Sequence, residues 1–593
     1  MDHDDEDVIF RALRPTWDPT SFFPRPDPKT IVLPQGSTYG PGKFPAPLGS
    51  RWHGGTRTLP TDVQLDQDVT VQMRDGSRIY VDIYRPPGVE SVPAIVAWSP
   101  YGKQGGYWNY CRGNLGAVPP RHWTSGLQKF EGPDPAEWVQ HGYAIVHPDP
   151  PGAFASEGKL RTWGEAEGRH VYDLIESLAE QEWCSGRIGM AGNSWLTMSQ
   201  WFAAAEQPPH LAAIAPWNGF FDVYDFVAPG GVPAPQFAEL VTDFQWGSRM
   251  EWLPAMIKKY PLKNEYWDTH DAALESIQVP AYVAHSWPVG VHKWTPEAFR
   301  RLGSDNKWLR LTNTHEWYDL YLPEYVDDLR RFFDRYLKGV DNGWEQTPRV
   351  RITVLDPGLK NAESANARYA DSKGYTPAVV VDRPEQEWPL ARTQYTKLHL
   401  RASRTLAENP EMEHKSSRYR ARTGSASFIY TFDHDTELTG YAVANLWIEV
   451  AGGTDADLFV DLCKLDDRGR RLGIFETSTL RVSHRALDTA RSTHFLPRHT
   501  HRQELPLTEG EPVEVSIGFA PAAMLFRAGE KLRLRVSGSP LRWLRDPTGG
   551  TLGGVASNVL APIPTRNRGV HVIHYGGEYQ SYLSVPVIPT LDD

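Results

Sequence analysis

The chain has little cysteine, three residues in 593, at positions 111, 184 and 463. So few, and an odd number, imply no disulfide framework. It also lacks any run of about 18 apolar residues, the length that a membrane-crossing helix requires. The first residues, MDHDDEDVIF, are acidic where a secretory leader would be basic and then apolar. There is no block of lysine or arginine and the net charge is −11, so the clustered basic footprint that holds nucleic acid is missing. Neither GxxxxGK[ST], GxGxxG nor HExxH occurs, and no nucleotide, cofactor or metal is expected. His494, His499 and His501 lie close together, but a solvated loop accounts for them better than zinc. These absences lead to the expectation of a soluble, cytoplasmic protein with no nucleic-acid or membrane partner.

What is present describes a globular chain: 40% hydrophobic, 12% aromatic and 23% charged residues. At 593 residues it exceeds what one core supports. Residues 1–65, rich in proline, glycine and aromatics without a period, read as an N-terminal arm draped over a domain. Two strand-like runs then flank Asp75-Gly76, a hairpin signal. Short apolar runs follow, PAIVAWS, YAIVHP, RIGMAG, LAAIAP, PAYVAHS and KWLRLTN, each the length of a strand buried on both faces. Amphipathic helices separate several of them. One places Val171, Leu174, Ile175 and Leu178 on a face; another places Leu329, Phe332, Phe333, Tyr336 and Leu337 and stops at Gly339. Alternating strands and helices over 66–218 and 279–345 predict an α/β sheet domain. The strand signal lapses over 219–278, which reads as an inserted helical cap. From 346 to 593 only strands and turns remain, the signature of an all-β sandwich or jelly roll.

The segment RIGMAGNSWLTMSQW places Ser194 between a strand and a helix. It is either a nucleophile on a sharp turn or a helix N-cap. Gly192 stands two residues before it, as an elbow requires, but Leu196 stands where a second glycine is usual. A serine nucleophile needs a base, an orienting acid and donors for the developing oxyanion.

The stretch VYDLIESLAEQEWCSGRIGMAGNSW, with HPDPPGAFASEG and WSPYGK before it, resembles the cocaine-esterase and X-prolyl dipeptidyl-peptidase superfamily of serine α/β-hydrolases. LTGYAVANLWIEVAGGTDADLFV extends the likeness into the β domain. The resemblance implies an α/β-hydrolase core with an inserted cap and a C-terminal jelly-roll-like domain. It implies Ser194 as nucleophile and His315 as its base. Tyr101 and the backbone N–H of Trp195 become the oxyanion donors. Where the family carries its acid, this chain has Val289, which cannot accept a hydrogen bond from imidazole. Asp222 is the first candidate for a displaced acid; Glu316 or Asp319 next to His315, or no acid at all, are the alternatives. A second departure is Thr197, where the family commonly has glycine. The expected activity is hydrolysis of a small-molecule ester or amide through an acyl-enzyme. Acyl transfer, or a catalytically weakened binding protein, is the rival reading. A homodimer is compatible with this organisation.

Overall fold

A computed structural model describes residues 7–12, 27–39, 56–103, 119–243, 247, 249–369, 375–540 and 565–589. Cys111 and parts of the N-terminal arm lie outside the described residues; Cys184 and Cys463 are buried free thiols. The apolar runs form the strands β1 (Val63–Gln72), β2 (Arg78–Arg85), β3 (Val92–Val96), β4 (Ala144–Asp149), β5 (Cys184–Asn193), β6 (Leu211–Trp217), β7 (Ala281–Ser286) and β8 (Lys307–Thr312). Their order across the sheet is β1-β2-β4-β3-β5-β6-β7-β8. β2 is antiparallel to its neighbours and β3 to β8 run parallel. β4 lies between β2 and β3, so the chain crosses back past β3 to reach β5. Residues of the central strands are buried on both faces, as parallel strands covered by helices must be.

The strand Val350–Leu355 (β9), expected to open the β domain, adds to this sheet instead, parallel to β8. Its apolar residues Val350, Ile352 and Val354 are fully buried there. β10 (Ala378–Glu385) closes the edge antiparallel to β9. Leu355 also pairs with Met524, so the sheet runs on into the C-terminal strands. Those strands form two antiparallel sheets. One is Ser425–Thr431, Lys531–Ser537, Asp457–Leu465 and Arg471–Arg481; the other is built around Val443–Ala451, Val513–Gly518 and Val570–Tyr575. Phe428, Leu462 and Leu534 of the first meet Leu446, Ile448 and Ile573 of the second in one core.

Helices α1 (Pro135–Val139), α2 (Glu165–Ala179) and α3 (Trp195–Ala205) flank the sheet. α4 (Val223–Val227), α5 (Gln236–Asp243), α6 (Leu253–Lys259) and α7 (Glu265–Asp268) fill the span between β6 and β7, and α8 (Pro323–Lys338) ends at left-handed Gly339. Part of the arm joins the cap, where Phe10–Ala12 pairs with Arg249–Glu251. Among the described residues no helix is long and apolar enough to cross a membrane.

α2 and α3 touch at Gly168. A Cβ there would lie 2.6 Å from the Phe202 carbonyl oxygen, inside any tolerable contact. Gly to Ala in a helix interior ordinarily stabilises by about 1 kcal/mol. Here Gly168→Ala is expected to do the reverse, costing about 1–3 kcal/mol as overpacking does. An apparent unfolding midpoint in urea below that of the parent protein checks the sign.

Candidate active site

β5 ends at Asn193, and the chain turns into α3 through Ser194 with φ 55° and ψ −120°. This is left-handed backbone in a residue with a Cβ, a strain of about 1–3 kcal/mol that persists only where the surroundings enforce it. The Ser194 side chain makes no capping hydrogen bond to α3, which removes the N-cap reading. Three packing features hold the turn. A Cβ on Gly192 would meet Leu196 Cδ2 at 2.4 Å, so leucine packs where a side chain at 192 would be. Thr197 sends its hydroxyl to the carbonyls of Gly192 (3.0 Å) and Trp217 (2.6 Å). Its methyl occupies the space beside Gly219, where a Cβ would lie 2.3 Å away. The missing glycine at 197 is thus matched by a glycine on the neighbouring turn. Finally, Ser194 N–H donates to Asn218 O at 2.8 Å.

Trp195 opens α3, so its N–H belongs to the unsatisfied first turn, as an oxyanion donor must. Its indole N–H donates to Glu167 Oε1 at 2.7 Å, beside that of Trp98 at 2.9 Å, and Glu167 Oε2 accepts from Trp163 N–H at 3.0 Å. Tyr101 packs edge-on against Trp195 and Phe130.

Its hydroxyl faces a residue that sequence reasoning did not single out, Glu131. The carboxyl of Glu131 is buried and accepts from the Trp317 indole N–H at 2.8 Å. Burial pushes its pKa up to about 8, although the Trp317, Tyr101 and Ser194 donors favour its charged form. Oε2 has no well-aligned partner among the described residues. Asn193 binds both loops that face the serine: its N–H donates to Glu131 O at 3.1 Å and its side chain to Glu316 O at 2.6 Å.

His315 precedes the short helix Glu316–Asp319 and caps it, its Nδ1 accepting from Trp317 N–H at 3.2 Å. The neutral ring therefore carries its proton on Nε2. Burial, then the neighbouring His292, push its pKa down to about 3. Neither adjacent acid reaches the ring. Glu316 Oε2 lies 3.9 Å from His292 Nε2, and Asp319 accepts from the hydroxyls of Thr312 (2.8 Å) and Thr314. Burial, Glu131 and Asp319 hold the Glu316 carboxyl well above the carboxylate range.

Ser194, Glu131 and His315 open onto one cavity of about 410 Å³. Phe220, Phe226, Phe237 and Trp294 line its apolar side, and Thr477 and Thr479 of a C-terminal strand, with His499 from the segment that follows it, close another. Its position at the carboxyl ends of parallel strands is where open α/β sheets bind ligands.

Comparison with known proteins bears on this arrangement. The crystal structure of a CocE/NonD family hydrolase from Staphylococcus aureus is 31% identical, covers 89% of this chain and 94% of its own, and superposes with a TM-score of 0.79. The chain belongs to the CocE/NonD family of hydrolases. The X-Pro dipeptidyl-peptidase (S15 family) profile matches residues 75–251, and that of the X-Pro dipeptidyl-peptidase C-terminal non-catalytic domain matches 342–584. Cocaine esterase of Rhodococcus sp. (strain MB1 Bresler) is 23% identical over 88% of this chain and 98% of the relative. An aminopeptidase from a marine sediment Thaumarchaeota archaeon, 16% identical with a TM-score of 0.64, shares the fold. This CocE/NonD member is accordingly a serine hydrolase of ester- or peptide-type bonds.

Within this family member the expected acid, Asp222, is occupied elsewhere. It caps α4 through Asp225 N–H (3.2 Å) and accepts from Lys263 Nζ at 2.6 Å; Lys263 also donates to Asp271 at 3.0 Å. Burial opposes the Lys263 charge, yet Asp222, Asp271 and Asp225 outweigh it and hold its pKa above the usual lysine value. Among the described residues no hydrogen bond joins Asp222 to His315. A carboxylate committed to a buried lysine is a structural group. Asp222→Asn is expected to destabilise the protein by a few kcal/mol. That is the lower end of the roughly 3–5 kcal/mol for breaking a buried ion pair, since Asp271 still holds Lys263. Turnover per folded molecule should stay within a few-fold. Thermal unfolding and ester hydrolysis measured on one preparation check both halves.

Proposed function

We propose that this protein is a serine esterase that transfers an acyl group to Ser194 and then to water. One observation carries the reading: Ser194 is held at a left-handed backbone angle, makes no capping bond, and opens onto the cavity. Strain of this kind exposes a nucleophile on a strand–helix turn. Attack on the substrate carbonyl develops charge on its oxygen. The Trp195 N–H and the Tyr101 hydroxyl are the donors proposed for it, each worth about 2.7–4 kcal/mol in comparable sites. His315 borders the same cavity and is the base proposed for the Ser194 proton, a role that needs its ring proton on Nδ1 rather than on Nε2.

The cavity supports an ester with an apolar acyl or alcohol portion. Phe220, Phe226, Phe237 and Trp294 offer aromatic area, and Val289 keeps the wall beside His292 apolar. Selection for a peptide with a free α-amine would call for ionised carboxylates without a protein counter-ion; Glu131 and Glu316 border the cavity without one, but burial favours their neutral forms. Asp222 and Asp225, at the polar end, are matched by Lys263 and Arg498. Hydrolysis of simple esters is therefore preferred over removal of dipeptides.

An active-site-directed fluorophosphonate is expected to label the protein, and Ser194→Ala to abolish both labelling and aryl-ester turnover. Tyr101→Phe should retain labelling but lower kcat about 10²–10³-fold. Turnover in Ser194→Ala comparable to the parent would exclude the reading.

A further inference from the structure

We infer that Lys103 is a positioning residue for the oxyanion donor: clamped by Asp68 and Asp82, it holds the Tyr101 hydroxyl where charge develops on the substrate carbonyl oxygen. This role rests on the reading of Tyr101 as an oxyanion donor.

The clamp begins in the sheet. β1 and β2 pair Asp66 with Ile83 and Val69 with Val81, so Gln67 and Asp68 together stand opposite Asp82 alone. Two residues facing one make a β-bulge, a device that re-aims a side chain. Asp68 takes φ 57° there, and its N–H donates to Asp82 Oδ1 at 3.0 Å. On its other side Asp82 stands opposite His147 of β4. These three neighbours converge on one residue. Lys103 Nζ donates to Asp68 Oδ1 and lies 3.0 Å from Asp82 Oδ1, while His147 Nδ1 donates to Lys103 O at 3.1 Å. The ammonium and the carbonyl of residue 103 are both held, by three adjacent strands at one level of the sheet.

The Asp82 side chain is fully buried and that of Lys103 is 10% exposed. Burial opposes the Lys103 charge, but Asp82, Asp149 and Asp68 outweigh it and hold its pKa above the usual lysine value. Lys129, whose Nζ donates to the Pro148 carbonyl at 2.5 Å, is instead pushed by burial down to about 7. The clamp therefore keeps its charge around neutrality. Ion pairs of this kind add little net stability, and an apolar pair of similar volume often serves a fold better. What the clamp supplies is a fixed place for residue 103.

That place matters because of what lies two residues earlier. Successive Cα atoms are about 3.8 Å apart, so an anchored Lys103 leaves Tyr101 little room to move. Gly102 between them sits at φ 91°, an angle that glycine reaches without strain. The Tyr101 ring packs edge-on against Phe130, with centroids 4.9 Å apart, and against Trp195 at 6.2 Å. Apolar contacts are non-directional and do not fix where along that surface the hydroxyl ends. The charged clamp fixes it from the backbone side. A donor must lie about 2.7–3.1 Å from the oxyanion, and a misplacement of about 1 Å can cost about 10²-fold in rate.

The test is a double-mutant cycle in the full-length protein with p-nitrophenyl butyrate as substrate. It compares the parent, Lys103→Met, Tyr101→Phe and the double variant, each normalised to its fluorophosphonate-titratable sites. Lys103→Met is expected to lower kcat by about 10–100-fold. KM should stay within about two-fold, since the oxyanion contact is made only in the transition state. In the Tyr101→Phe background the same change should cost no more than about two-fold, because the hydroxyl that it positions is gone. A general loosening of the fold would cost the same in both backgrounds. Asp68→Asn removes one arm of the clamp and leaves Asp82 on Lys103. It runs through the same cycle if Lys103→Met does not fold, with a smaller loss of kcat expected, again only where Tyr101 is present. A parental rate in the clamp variant, or equal losses in the two backgrounds, overturns the proposal. Tyr101→Phe alone separates this role from the reading beneath it. If that variant turns over like the parent, Tyr101 is not the oxyanion donor; if it is slow while Lys103→Met stays fully active, only the role of Lys103 falls.

Discussion

The close packing around one turn governs the rest of the molecule. Ser194 occupies a backbone conformation it would leave at once if given room. Leu196 over Gly192, Thr197 beside Gly219, and the bond from Ser194 N–H to Asn218 deny it that room. The constraint spreads outward through contacts of the same kind. Gly168 lets α2 lie against α3, and the adjacent Glu167 reaches the Trp195 indole. The first N–H of α3, which the oxyanion would need, is thereby fixed in direction. Asn193 binds the loops of Glu131 and Glu316 to the same point.

Around that rigid turn, environment assigns different work to chemically similar carboxyls. Asp222 is neutralised by Lys263 and holds the cap. Glu167 spends its oxygens on three N–H donors and orients a tryptophan. Glu131 receives a donor from the Trp317 indole but, among the described residues, no cation, and desolvation raises its pKa. The substitution of valine at 289 fits this pattern. Without a carboxylate at that position, His315 Nδ1 accepts from the backbone of its own helix.

Much of this was legible before any coordinates. Period-2 and buried-run patterns located the strands and the 3.6 period located α2 and α8, because burial of apolar faces is a local signal. Val350–Leu355 was assigned to the β domain because nothing local distinguishes a strand that extends one sheet from a strand that begins the next; its partner is chosen across the chain. Asp222 looked available because it stands just past a strand end where α/β hydrolases can carry the acid, while Lys263, its actual partner, lies in the cap. Glu131 carried one faint signal, a lone acid between Phe130 and the Gly132-Pro133 turn.

The sequence by itself determined the order of strands and helices, the glycine before the serine, the serine on its turn, and the absence of an acid at 289. These depend on residue type and spacing along the chain. Tertiary structure alone decided which carboxyl faces the nucleophile, which is neutralised, and which histidine nitrogen remains available. Those outcomes depend on the distance between segments remote in sequence and on the water that their packing excludes.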